Sequence, residues 1–186
     1  MEDQQIIALY FARSQQAISA SEQHYGPYCR TIAHNILHNR EDSEECVNDT
    51  WLKAWDAMPP HRPARLAPFF GAITRNLALH RWEAKRAQRR GGGQTELALE
   101  ELAECIPHGD NPDSLIDELT LKELLNRFLQ KLTMEDRRIF LRRYWYLCPV
   151  KDIARMENAT LSRVKMSLHR SRTKLRDLLE KEGFTL

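Results

Sequence analysis

Apolar residues recur through this chain at intervals of three and four, as they do in helices with one buried face. Tyr25, Tyr28, Ile32, Ile36 and Leu37 form one such stripe. In HNREDSEECVNDTWLKAW, Asp42 precedes Glu45 by three residues, a variant of the capping box, and the spacing predicts a helix from Ser43. Its stripe is Val47, Trp51, Ala54, Trp55 and Met58, and the prolines of MPPHRP then interrupt the hydrogen-bond ladder. Leu66, Phe69, Phe70, Ile73 and Leu77 predict a long helix over 66–88. These segments make a first bundle of three or four helices.

The second half carries the same period. Leu119, Leu121, Leu124, Leu125, Phe128 and Leu132 mark one helix, and Thr133 is placed to cap another bearing Ile139, Phe140, Tyr144 and Trp145. The closing stretch, CPVKDIARMENATLSRVKMSLHRSRTKLRDLL, predicts a short helix from Pro149 to Met156 with Ile153, Ala154 and Met156 inward. Glu157-Asn158-Ala159 reads as a tight turn in which Asn takes the left-handed conformation. Thr160 then caps a long helix, with Leu161, Val164, Leu168, Leu175 and Leu178 available for packing. Short helix, turn and basic helix make a helix-turn-helix. No segment alternates with a period of two, so the fold class is all-α.

Length and charge divide the chain. At 186 residues it suits two helical domains of roughly 80–90 residues each. Residues 1–60 hold four Lys/Arg against nine Asp/Glu, residues 61–93 eight against one, and residues 94–123 one against nine. Residues 137–176 then hold twelve against two. Two basic blocks separated by an acidic one suggest two polyanion-binding surfaces on separate modules. The switch of sign falls at KRAQRRGGGQTELALEELAE, where three glycines would each cost a helix about 1 kcal/mol. The expected organisation is a first domain over 1–90, a flexible, Gly-rich acidic linker over 91–112, and a second domain over 113–186.

Candidate chemistry is sparse, and that narrows the function. Cys29, Cys46, Cys105 and Cys148 are widely spaced, which suggests neither a disulfide framework nor a zinc ribbon. His34 and His38 stand at metal-competent spacing without a third ligand, so helix-surface histidines are the better reading. The expectation is no metal and no cofactor. With no clustered carboxylates, Gly-rich phosphate loop or activated nucleophile, no enzymatic activity is expected. No apolar run reaches the ~18–20 residues of a membrane span, and MEDQQIIALY lacks a basic leader, so a cytoplasmic protein without membrane insertion is expected. Arg75, Asn76, His80, Arg81, Lys85 and Arg86 line the polar side of the third stripe's helix, and such side chains suit a nucleic-acid backbone or unpaired bases. Trp82 there reads as either a stacking platform or a core residue.

On these motifs the chain resembles bacterial sigma-70 family factors of the extracytoplasmic-function (ECF) group. DSEECVNDTWLKAW and FFGAITRNLALHRWEAKR are similar to successive parts of the family's region two, and LSRVKMSLHRSRTKLRDLL to the end of region four. The resemblance implies a transcription initiation factor whose partners are bacterial core RNA polymerase and promoter DNA. By match, Asp49, Thr50 and Lys53 would contact the polymerase, while Trp51 and Trp55 serve mostly as core. Arg62 and Arg65, in the Pro-rich loop, would join Arg75, Asn76, His80, Arg81, Lys85 and Arg86 at the minus-ten element. Thr160, Ser162, Arg163, Lys165 and Met166 would meet the minus-thirty-five element, with Arg170 and Arg172 on phosphates. The acidic linker would thread through the polymerase, or fold back on a basic module of the free chain. A separate anti-sigma factor would be the usual control, and no appended sensor is expected.

Departures from the family pattern limit the match. His80 stands where Asp is common, Phe70 where Trp is frequent, and Arg163 and Met166 replace the common Thr and Ser. The rival reading is a stand-alone helix-turn-helix regulator that binds duplex DNA as a dimer, which leaves the first bundle without a task.

Overall fold

A computed structural model of the chain describes residues 2–86, 94–103 and 118–182. The glycine hinge, Arg89, Arg90, Glu104 and the acidic positions through Asp117 lie outside the described residues, as do the side chains of Arg86, Leu119 and Leu121. Among the described residues every regular element is a helix: α1 (Asp3–Phe11), α2 (Gln16–Leu37), α3 (Arg40–Ala57), α4 (Leu66–Arg86), α5 (Gln94–Ala103), α6 (Glu118–Lys131), α7 (Met134–Tyr144), α8 (Val150–Met156) and α9 (Leu161–Lys181). The chain divides into two compact units, Met1–Gly91 and Gly92–Leu186.

The first unit packs α2, α3 and α4 against one another, with α1 on α2. Phe70 is its hub, with ring centroids 5.1 Å from Trp51, 5.3 Å from Tyr25 and 6.3 Å from Tyr10. Of the stripe positions, Val47, Trp51 and Ala54 on α3 and Met58 just beyond it are buried, and Trp55 is half-buried against Tyr10. The start of α3 differs from expectation. Asn39 is the cap, its side chain accepting from the Asp42 N–H at 2.9 Å, so the helix begins at Arg40 rather than Ser43. Both Asn39-x-x-Asp42 and Asp42-x-x-Glu45 satisfy the local rule, and the earlier cap adds most of a turn of ladder bonds. Asp3 performs a similar service across the fold. Its carboxylate accepts from the Leu66 N–H at 2.9 Å and from the Tyr25 hydroxyl, and those bonds hold its pKa below the ordinary value.

In the second unit, α6, α7 and α8 surround α9 over a core that includes Phe128, Ile139, Phe140, Ile153, Val164, Leu168 and Leu175. Thr133 and Thr160 cap α7 and α9 as expected, accepting from Asp136 N–H at 3.1 Å and Arg163 N–H at 3.2 Å. The α8–α9 turn closes through Asn158 at φ 50°, with Ala159 N–H donating to Ala154 C=O at 2.9 Å and Asn158 N–H to Arg155 C=O at 3.3 Å. That pair of bonds is the Schellman arrangement, which needs one left-handed residue. Met156, expected inward, and Leu161, read as available for packing, are exposed. In a helix as short as α8, two turns are too few for periodicity to fix the buried face. The first part of the acidic segment is also not free chain, because Gln94–Ala103 is helix α5, packed on α7.

Candidate nucleic-acid interface

On the first unit, α4 presents Asn76 and His80 to solvent, and the preceding loop presents Arg62 and Arg65. The Arg62 guanidinium lies over the Phe11 ring at 5.3 Å, so it carries an aromatic backing. Arg75 is half-buried, and desolvation lowers its pKa from the ordinary value. Trp82 is half-buried as well. Arg81 and Lys85 are engaged elsewhere. Arg81 forks between Glu45 at 2.8 Å and Asp49 at 2.5 Å on α3, and Lys85 pairs with Asp42. Asp42, Glu45 and Asp49 follow at steps of three and four, so they share a face and meet α4 as a ladder. The side chain of Arg86 is outside the described residues.

The α3 surface alters the expected polymerase-contact set. Lys53 is exposed, as is Leu52 at 59%, an apolar residue that interrupts no stripe and was not singled out by the sequence. Its signal is that it stands off the buried positions Val47, Trp51 and Ala54. Asp49 is half-exposed and shared with Arg81. Thr50, by contrast, is fully buried. Its hydroxyl donates to Cys46 C=O at 2.9 Å and lies 3.1 Å from the Thr74 hydroxyl. Thr50 therefore fastens α3 to α4 and is corrected from contact residue to core residue.

On the second unit, the first turns of α9 lie open. Thr160, Ser162, Arg163, Lys165 and Met166 are all exposed, Met166 at 59%, which is the placement a major-groove helix needs. Thr160 is occupied as the cap, and Arg163 pairs with Glu135 at 2.8 Å. Arg170 is exposed, 3.9 Å from Asp136. Below α9, the Glu157 carboxylate accepts from Arg138 Nη2 and Arg142 Nε, each at 2.8 Å, tying α7 to the turn. Arg172, expected on a phosphate, is engaged within the second unit. It donates to the Tyr144 hydroxyl at 2.7 Å and lies 3.5 Å from Glu101 of α5. The Arg143 and Glu101 side chains that complete this cluster were not legible, because α5 and α7 are 42 residues apart at this contact.

His34 and His38 remain near each other, with ring centroids 6.4 Å apart. Among the described residues no group of three His, Cys, Asp or Glu side chains is arranged to hold a metal ion, and no helix is long and apolar enough to cross a membrane.

With this geometry in place, comparison with known proteins gives concordant matches in both units. Residues 23–88 match the family model for Sigma-70 region 2, and residues 122–175 match that for Sigma-70, region 4. The chain is also 26% identical over 158 residues to the ECF RNA polymerase sigma factor SigE of Mycolicibacterium smegmatis (strain ATCC 700084 / mc(2)155), covering 82% of this chain. The match covers 57% of that relative, so the chain spans less than two thirds of its length.

Proposed function

The chain belongs to the sigma-70 family, in its extracytoplasmic-function group, and from that premise we propose that it is a transcription initiation factor acting with bacterial core RNA polymerase in the cytoplasm. In this reading the outer face of α3, with Leu52, Lys53 and Asp49, docks on the polymerase. Asn76, His80, Arg75 and the loop cations Arg62 and Arg65 engage unpaired bases and phosphates of the minus-ten element. The start of α9, with Ser162, Arg163, Lys165 and Met166, reads the minus-thirty-five duplex. The polymerase supplies the chemistry, which fits a chain read as having no catalytic group of its own.

The observation that carries the reading is the pairing of the two family matches with an open first turn of α9 behind the Asn158 turn. Amide, cationic and imidazole side chains on a rigid α4 suit capture of unpaired bases, and a capped helix with exposed first turns suits a major groove.

The test is binding of the purified chain to bacterial core polymerase, followed by promoter-dependent run-off transcription. Lys53→Glu and Leu52→Asp are the variants, because both side chains are exposed and neither has a hydrogen bond or ion pair among the described residues. Tight binding weakened by both, with transcription lost in parallel, is expected. Specific duplex binding by the chain alone, without any association with polymerase, would overturn the reading in favour of a stand-alone regulator.

A further inference from the structure

The most deeply buried cation of the second unit has its carboxylate partner on a different segment from the one that carries the DNA reader. Arg143 is 0% exposed, and its guanidinium grips Glu101 through Nη2 at 2.9 Å and Nε at 3.2 Å, with Cys148 C=O at 3.4 Å from Nη1. The Tyr144 hydroxyl lies 3.1 Å from the same carboxylate, and Arg172 reaches both, the hydroxyl at 2.7 Å and Glu101 at 3.5 Å. Two donors from α7 and an ion-pairing guanidinium from α9 thus converge on one carboxylate. The helix that delivers it packs on α7, with Leu102 against the core, and its Thr95 and Ala98 are buried.

We propose that Glu101 occupies the place of a duplex phosphate, so that docked α5 holds Arg172 away from DNA in the free chain. This rests on the reading of α9 as the duplex-binding helix. An arginine guanidinium pairs with a carboxylate or a phosphate alike, and Arg172 meets Glu101 through Nη1 at 3.5 Å. Arg172 lies on the same helix as Ser162, Lys165 and Met166, two turns beyond the open face. As part of the same chain, Glu101 competes at a high effective concentration, and a phosphate must displace it. Undocking α5 hands Arg172 to the DNA backbone and adds one phosphate contact.

The experiment compares the full chain with Glu101→Gln and Ala98→Glu for binding to a mixed-sequence duplex across a salt series. One added phosphate contact steepens the log–log salt slope by about 0.9 and tightens binding by roughly eightfold at 0.1 M salt. Ala98→Glu puts a charge at a buried position of α5 and ejects the helix, Glu101 with it, while leaving the side chains of Arg143, Tyr144 and Arg172 unaltered. Because it adds negative charge, tighter binding by this variant can come only from release. Arg172→Gln in the Glu101→Gln background must cancel the gain. A gain that survives Arg172→Gln is a long-range effect of the lost charge and overturns the proposal. So does an unchanged affinity and slope in both variants with α7–α9 still helical, and so does loss of fold in both, which would make α5 an integral part of the unit. Lys165→Ala in the Glu101→Gln background separates the two levels. If it leaves duplex binding untouched, the reading of α9 fails whatever α5 does.

Discussion

Thr50 offers the cleanest separation of structure from contact, because sequence similarity places it in the polymerase-contact set and the fold places it in the core. The perturbation is Thr50→Val, which keeps the shape and removes the hydroxyl. Two hydroxyl protons serve three short oxygen contacts here: Thr50 to Cys46 C=O at 2.9 Å, Thr74 to Phe70 C=O at 2.8 Å, and the two hydroxyls at 3.1 Å. Removing one hydroxyl leaves Thr74 donating to Phe70, and a helical carbonyl such as that of Cys46 keeps its backbone partner. No buried group is orphaned, so the cost is one net hydrogen bond, about 1 kcal/mol. For a unit of this size that lowers Tm by about 4–8 °C. Thr50→Ala also removes a buried methyl and should cost about 2 kcal/mol. Trp51, Trp55 and Trp82 lie in the first unit and Trp145 alone in the second, so tryptophan fluorescence during thermal unfolding reports mainly the unit under test. Polymerase affinity of Thr50→Val, measured well below the transition, should stay within about twofold, because a 1 kcal/mol loss leaves nearly all of a stable unit folded. An affinity loss of about tenfold, or 1.4 kcal/mol, with Tm unchanged would refute the core assignment.

Two further predictions concern the helix-turn-helix. The Arg138 hydrogen bonds, and Arg142 beside them, hold the Glu157 pKa below its ordinary 4.5, so the stabilisation is fully present above that value and is lost as pH falls through the depressed one. Hydrogen exchange of α7–α9 should therefore show wild type more protected than Glu157→Gln at neutral pH and the two converging in acid, and a constant difference across the range would dismiss the ion pair as the cause. At Asn158, φ 50° disfavours a side chain that cannot bond locally, so Asn158→Ala should destabilise the α8–α9 turn by about 1 kcal/mol, with Asn158→Gly close to neutral. Equal exchange rates for the two variants would mean that the backbone conformation is not what the Asn supplies.

What the sequence revealed was local, and what it hid was long-range. Thr133, Thr160, Asn158 and the prolines after α3 act on their own neighbours within four residues, and each behaves as its chemistry dictates. Pro27 is the exception that shows the limit, since α2 runs through it from Gln16 to Leu37. Packing of Cys29, Ile32, Ala33 and Ile36 beyond the proline outweighs the missing backbone bond. The buried faces of long α3 and α9 were legible because many turns average out single-residue exceptions. The face of seven-residue α8 was not, and Met156 fell on the wrong side. Nothing local marks Thr50 as buried either, for a threonine on a helix flank is equally suited to solvent or to a back-bond.

Charge runs were the least transparent signal, and the reason is specific. The acidic excess of residues 1–60 and the basic excess of 61–93 were counted as separate blocks, yet Asp42, Glu45 and Asp49 face Lys85 and Arg81 directly. Two cations of the basic run, Arg81 and Lys85, are thus partly neutralised by their own fold, while the amide of Asn76 and the imidazole of His80 stand open on α4. Partly exposed ion pairs are weak and screened by salt, so this ladder is exchangeable rather than fixed. A polyanion brought close can draw Arg81 and Lys85 away, and a cationic partner taking Asp49 would leave Arg81 held by Glu45 alone. Block arithmetic therefore counts the cations that a polyanion could engage, whereas the structure shows that Arg81 and Lys85 already have carboxylate partners. The Glu101 cluster differs in kind, because Arg143 is fully buried there and its carboxylate can be surrendered only when another anion, or water admitted by the departure of α5, takes its place.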